Sequence, residues 1–251
     1  MGESQMLREL LSIFQAKDPL SEMTGNFSEM LNISRQLVGK AGDLYFAHRC
    51  SPEERDLLRQ EDVRVNKLQR RIRKQVIFHL SLAKNSPDLP YCLLLMSLVK
   101  DVERIGDYAK ELADLVSLAS DPGPDNVVRA ELNEIRGGIE TDFAGAVAVF
   151  ETADRERAIE LINCGKDTVE RCSQLTGRLA RSDYDAGTVT NLALGAQFYS
   201  RIAGHMLNLL SGVVMPLHRL DYYDEKDIAR AEKEQSLNDL KDTGDEPEDE
   251  L

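Results

Sequence analysis

Apolar residues recur along the chain at intervals of three and four, the period of one face of an α-helix. Residues 4–15 carry a short stripe of Met6, Leu7, Leu10, Leu11 and Phe14, and Asp18-Pro19 closes it. A longer stripe runs from Leu20 to Arg49 through Met23, Phe27, Met30, Leu31, Leu37, Val38, Ala41, Leu44 and Tyr45. Ser51-Pro52-Glu53-Glu54 then predicts a helix start, with serine as the cap, proline in the first turn and acids at the positive end of the helix dipole. That helix continues to about Lys84 through Val65, Leu68, Ile72, Val76 and Leu82. After the break at Asn85 to Pro90, a third helix is expected from about Asp88 to Ala119, on a stripe of Leu98, Val102, Ile105, Ala109 and Leu112.

Asp121-Pro122-Gly123-Pro124-Asp125 is the strongest break in the sequence and falls near its middle. Beyond it the order repeats. Leu132, Ile135, Ile139, Phe143, Val147 and Phe150 mark a fourth long helix. Ala158, Ile162, Val169, Cys172 and Leu179 mark a fifth, and Leu192, Tyr199, Ile202, Met206, Leu209 and Val213 a sixth that closes near Pro216. No run alternates with the period of two that a half-buried strand needs. The pattern predicts an all-α protein of two tandem three-helix bundles, because trios with short connections close antiparallel bundles. The divisions are a helix over 1–19, a first bundle over 20–120, a second over 125–220, and a charged helix with an acidic tail over 221–251.

Composition changes this picture in one respect. The net charge is −13, but Asp221 to Leu251 holds 13 acids and 4 bases, a balance of −9, leaving −4 for the other 220 residues. The acidity belongs to the tail, and a general nucleic-acid-binding surface is disfavoured. The four cysteines, Cys50, Cys92, Cys164 and Cys172, show no CxxC or zinc-knuckle spacing, so reduced, mostly buried thiols are expected. The first residues lack the basic and apolar regions of a signal peptide. No run reaches the roughly 18 apolar residues of a membrane span. A cytoplasmic protein is expected.

Two charged features stand out. In Glu103-Arg-Ile-Gly-Asp107 two carboxylates lie four residues apart, on one helix face at roughly 5–6 Å between Cβ atoms. They sit away from the centre of the apolar stripe, so they face outward or along the bundle's side, and Arg104 or Lys100 could balance them without a metal. An all-oxygen pair would suit Mg, Mn, Ca or iron. Asp62 and Asn66, also four apart, flank the stripe of the preceding helix and would share a patch with Glu103 and Asp107 if the two helices are antiparallel neighbours. The other feature is a basic run. Between Arg59 and Lys74 lie seven cations, among them Arg64, Lys67, Arg70, Arg71 and Lys74, opposed only by Glu61 and Asp62. It reads as a solvated face, an anion site, or a contact for an acidic partner or an anionic membrane.

The chain resembles the PhoU family of phosphate-uptake regulators. The matching residues are Asp101-Val-Glu103-Arg-Ile-Gly-Asp107-Tyr-Ala109 and Asp62-Val-Arg-Val-Asn66, with fainter echoes at Phe198-Tyr-Ser-Arg-Ile-Ala-Gly-His205 and Asp167-Thr-Val-Glu170. The resemblance implies two three-helix bundles and surface metal clusters, reported in the family with iron or zinc. By position it makes Glu103 and Asp107 the leading metal ligands, with Asp101, Asp62 and Asn66 in support. It also implies a non-enzymatic regulator whose partners are a membrane phosphate transporter component or a sensor kinase, at the inner face of the membrane, with room for a homo-oligomer. The second half departs from the pattern: Ser200 and Gly204 stand where the motif has acids, and Lys166 replaces the earlier acidic position. At most one metal site is therefore expected, in the first bundle, and His205 is expected to be a packed or capping residue. A metal-dependent phosphohydrolase on a helical scaffold and a purely structural module without metal are the rival readings.

Overall fold

In the computed structural model the described residues are 19–82, 87–117, 126–221 and 223. They form six long helices and two single turns of 3₁₀ helix. The helices are α1 (Pro19–Ala47), α2 (Pro52–Leu82), α3 (Leu89–Asp114), α4 (Val127–Thr152), α5 (Arg155–Leu179) and α6 (Ala186–Val214). The 3₁₀ turns are Leu115–Ser117 and Leu217–Arg219. Pro19 opens α1, a first-turn position proline tolerates because its missing N–H has no partner there. The expected helix at 4–15, the breaks at 85–86 and 121–125, and the tail from 224 lie outside the described residues.

Caps explain where the helices start. Ser51 Oγ accepts from the Glu54 N–H (3.1 Å) while the Ser51 N–H donates to Glu54 Oε2 (2.8 Å), a reciprocal capping box at the predicted start of α2. Asn126, Asp154 and Asp185 cap α4, α5 and α6, each carboxyl or amide oxygen accepting from backbone N–H groups of the first turn. α4 ends at Ala153, whose φ of 53° is left-handed and whose N–H returns to Val149 O at 2.7 Å.

α1, α2 and α3 pack on one another, as do α4, α5 and α6. The two trios are joined along their length. α3 lies against α6 over a longer seam than it shares with α1 or α2, and α1 lies against α4. The predicted stripe of α3 is fully inside, with Val102, Ile105, Ala109 and Leu112 at 0% exposure. One contiguous apolar core spans both trios. Glycines permit the close approach. A Cβ on Gly212 would stand 3.0 Å from Leu98 Cδ2 across the α3–α6 seam, and one on Gly195 would stand 2.5 Å from Tyr45 Oη. The Tyr45 hydroxyl donates to Asn191 Oδ1 (2.7 Å), tying α1 to α6. Arg136 on α4 reaches Asp43 on α1 and lies 5.6 Å from the Phe46 ring centroid.

Candidate functional site

α2 and α3 run antiparallel. Three contacts fix their register: Arg55 to Asp114 (3.4 Å), Asp62 to Lys110 (3.3 Å) and Gln69 Nε2 to the Val99 carbonyl (3.3 Å). This alignment brings Asp62 and Asn66 beside Glu103 and Asp107. Asn66 Nδ2 donates to Asp62 Oδ2 (3.3 Å). The ammonium of Lys110 lies between two carboxylates, donating to Asp62 Oδ2 (3.3 Å) and Asp107 Oδ1 (3.2 Å). Arg104 donates to Asp107 Oδ2 (3.1 Å) and stands 3.6 Å from Glu103 Oε2.

The acids sit at the rim of the bundle, with side-chain exposures of 9% for Asp62, 18% for Glu103 and 24% for Asp107. Partial burial pushes the Glu103 carboxyl above its ordinary range, and the negative charges of Asp107 and Asp62 push it further, against Arg104 and Arg73. Burial works against the Lys110 ammonium, but Asp62 and Asp107 outweigh it and hold its pKa above the usual lysine value. Asp62 Oδ1 is buried without a hydrogen-bond partner and lies 3.8 Å from where a Cβ on Gly106 would be. Among the described residues no group of three or more His, Cys, Asp or Glu is arranged to hold a metal ion. The oxygen donors suit a hard cation, but Lys110 already donates to two of them, so a metal would enter in exchange for that ammonium.

Asp101 departs from the expectation. Its side chain is 1% exposed and turns away from Glu103 and Asp107, toward the second bundle. Oδ1 accepts from Asn208 Nδ2 (3.1 Å) and pairs with His205 Nδ1 (2.7 Å) on α6. It is an interface residue, excluded from the acidic patch by direction. Its spacing carried a signal: three after Leu98 and four before Ile105, it falls within the apolar face. His205 stacks on Tyr108, with ring centroids 5.7 Å apart. Lys110 is the site residue that sequence reasoning missed, although it lies three residues after Asp107. Lys100, an expected partner of the motif acids, stands 3.8 Å from Asp101 instead.

The basic run divides in two. Arg64 is held by Glu61 (2.9 Å) and Glu29 (3.0 Å), and Arg71 by Glu22 (2.6 Å). Lys67, Arg70, Arg71 and Lys74 line an open cleft of about 480 Å³ on α2. Among the described residues Lys67, Arg70 and Lys74 form no ion pair. Val63, Ile77 and Phe78, on the same helix face, are exposed. Of the cysteines, Cys92 and Cys172 are buried, and burial pushes their thiols up to about 11 and about 12. Cys50 is half-buried and Cys164 is exposed.

Two fused three-helix bundles, with a charge-balanced carboxylate patch on the outer edge of the first, define an all-α tandem-bundle protein. Residues 27–116, within the first bundle, match the family model described as the PhoU domain. The crystal structure of PhoU from Pseudomonas aeruginosa is similar in fold, with a TM-score of 0.71 at 19% identity, over 82% of this chain and 99% of that one. So is that of the phosphate transport system regulatory protein PhoU from Streptococcus pneumoniae, with a TM-score of 0.68 at 17% identity, over 81% of this chain and 95% of that one. No curated protein matches the chain.

Proposed function

We propose that this protein is a non-catalytic, cytoplasmic regulator of phosphate uptake that acts by docking on an acidic face of a transporter component or its sensor kinase. The observation that carries the reading is the outer face of α2. Lys67, Arg70 and Lys74, without acidic partners among the described residues, line one cleft and share their helix face with the exposed Ile77 and Phe78. Cations beside exposed apolar side chains give a docking surface both electrostatic steering and area to bury. The PhoU-domain match and the likeness to a phosphate transport regulator supply the physiological setting. Among the described residues no helix is long and apolar enough to cross a membrane, so contact with the transporter would be peripheral.

The test is phosphate uptake in cells lacking the gene and complemented with the full chain or with Lys67→Glu/Arg70→Glu/Lys74→Glu. The reversed chain should accumulate normally and fail to restore regulation. Full restoration would remove α2 as the docking face.

A cation at the acidic patch is a subsidiary proposal. Asp62, Glu103 and Asp107, with Asn66 beside them, would supply oxygen ligands to a divalent or ferric ion (iron, Mn or Mg before zinc), with Lys110 displaced. Bound, the ion would stiffen the α2–α3 edge as Lys110 now does. The rival reading of a structural module without metal draws support from that same lysine, since the patch is already charge-balanced.

A further inference from the structure

The second bundle holds a site in the place that corresponds to the acidic patch. In the first bundle the patch is built from residues four apart on α2, Asp62 and Asn66, and four apart on α3, Glu103 and Asp107. The matching pairs in the second bundle are Lys166 and Glu170 on α5, and Ser200 and Gly204 on α6. All four line one open cleft of about 550 Å³. The fold has therefore kept the place while its chemistry has changed. Three potential negative charges or their amide neighbour have become a lysine, a glutamate, a serine and a glycine.

The sign of the site follows from what surrounds those positions. Arg201 lines the cleft beside Ser200. Among the described residues neither Lys166 nor Arg201 forms an ion pair, whereas in the first patch Arg104 and Lys110 are both spent on acids. Lys166 Nζ lies 5.9 Å from the centroid of Tyr223, which walls the cleft on one side. Ser173, Gln197 and Ser200 also face it, and none has a side-chain hydrogen-bond partner among the described residues, so their donors remain available. Among the described residues Glu170 is the one acid of the lining, and it accepts from Gln174 at 2.9 Å. Gly204 leaves the floor open, since a Cβ there would meet nothing within 4 Å. The buried Asp101 fixes the remaining wall by holding His205 and Asn208.

We propose that this cleft is an oxyanion site that takes the phosphate group of a small phosphorylated molecule. A lysine, an arginine fork and neutral hydroxyl and amide donors are the groups that recognise phosphate oxygens. The volume falls in the range of about 300–1,000 Å³ typical of small-molecule sites and leaves room beyond a bare phosphate. The two bundles then carry sites of opposite sign at equivalent places, a cation edge in the first and an anion cleft in the second.

The experiment is calorimetric titration of the full chain with inorganic phosphate and with pyrophosphate. The unaltered protein should bind at least one probe saturably. Lys166→Glu/Arg201→Glu should weaken that binding by about tenfold or more, the loss expected for charge-assisted hydrogen bonds. Lys166→Arg/Arg201→Lys should retain it, and both variants should keep the parent circular dichroism. If the reversed pair fails to fold, Ser200→Asp, which returns an acid to its motif position, should weaken binding in the same direction. Absence of saturable binding to the unaltered chain would overturn the proposal. So would undiminished binding by the charge-reversed variants, or a loss that follows reversal of Lys67, Arg70 and Lys74 on α2 instead.

Discussion

Asp101 Oδ1 lies 2.7 Å from Nδ1 of His205, a residue 104 positions further along the chain. The acid that opens the motif of the first bundle is thus spent on the motif helix of the second. Asp101 is 1% exposed, and its Oδ2 has no hydrogen-bond partner. Removing its carboxylate strips His205 and Asn208 of a shared acceptor at a buried seam. Asp101→Ala should cost about 2–3 kcal/mol, in the range for losing hydrogen bonds to a charged acceptor. Chemical denaturation would show the midpoint falling with the slope unchanged. A loss below about 0.5 kcal/mol would mean the pair contributes little to the seam.

Lys110 governs the acidic patch. Lys110→Met should raise the metal content of protein purified without chelators, because Asp62 and Asp107 lose their cation. Elemental analysis of Lys110→Met beside Glu103→Ala/Asp107→Ala checks this. Equal and negligible metal in both would leave a patch that serves structure alone.

The same lysine predicts a pH dependence. Its folded pKa is raised, so its stabilisation is fully present below the ordinary lysine value of 10.5 and is lost as pH rises through the higher folded value. Lys110→Met should therefore be less stable than the parent at neutral pH, by about 0.5–1 kcal/mol for a partly exposed pair. The two should converge as pH rises from 10.5 through the higher folded value, where the parent's lysine discharges. Thermal melts across that range would decide it.

Glu103 has the opposite sense. Its folded carboxyl is raised, so the charged form is disfavoured by folding. The cost is absent below the ordinary value of 4.5 and fully present above the raised one. Glu103→Gln should be slightly more stable than the parent at neutral pH, by on the order of 0.5 kcal/mol. The advantage should disappear on acidification. A variant less stable at every pH would show that Glu103 is needed as an anion, through Arg104 and Arg73.

Gly195 is held to its size by Tyr45. Gly195→Ala places a methyl 2.5 Å from the tyrosine hydroxyl, and overpacking of this kind costs about 1–3 kcal/mol. Combined with Tyr45→Phe, the loss should be smaller than the sum of the two single losses, since the nearest clashing atom is gone and the ring carbon Cζ, at 2.8 Å, is then the closest. Strict additivity in melts of the four proteins would place the strain elsewhere.

The helices were legible because their boundaries are local chemistry. Ser51 and Glu54 announce the α2 cap by spacing alone, and the residues of the α3 stripe are all buried. The antiparallel meeting of Asp62 with Asp107 needed only the hairpin of α2 and α3. The fusion of the bundles was not legible, because it depends on the register of α3 against α6, which no neighbouring residues encode. The family resemblance groups Asp101 with Glu103 and Asp107, whereas the helical turn sends it to the opposite side. Arg104 does pair with the motif acids, but Lys110 completes the patch through a contact to another helix. Gly204 read as a lost ligand. Its other consequence, an open floor to a cleft, became visible only once α5 and α6 were in place.

The seam of α3 on α6 also bears on how the chain comes apart. Leu94 and Leu98 meet the backbone of α6 at Gly212, and the core on either side is continuous. Each trio leaves part of its apolar surface to be covered by the other. The visible symmetry of two modules is then a symmetry of shape and not of autonomy. A chain severed at the Pro/Gly break would bare a long apolar strip on each piece, and the pieces would have to find each other before either was sound.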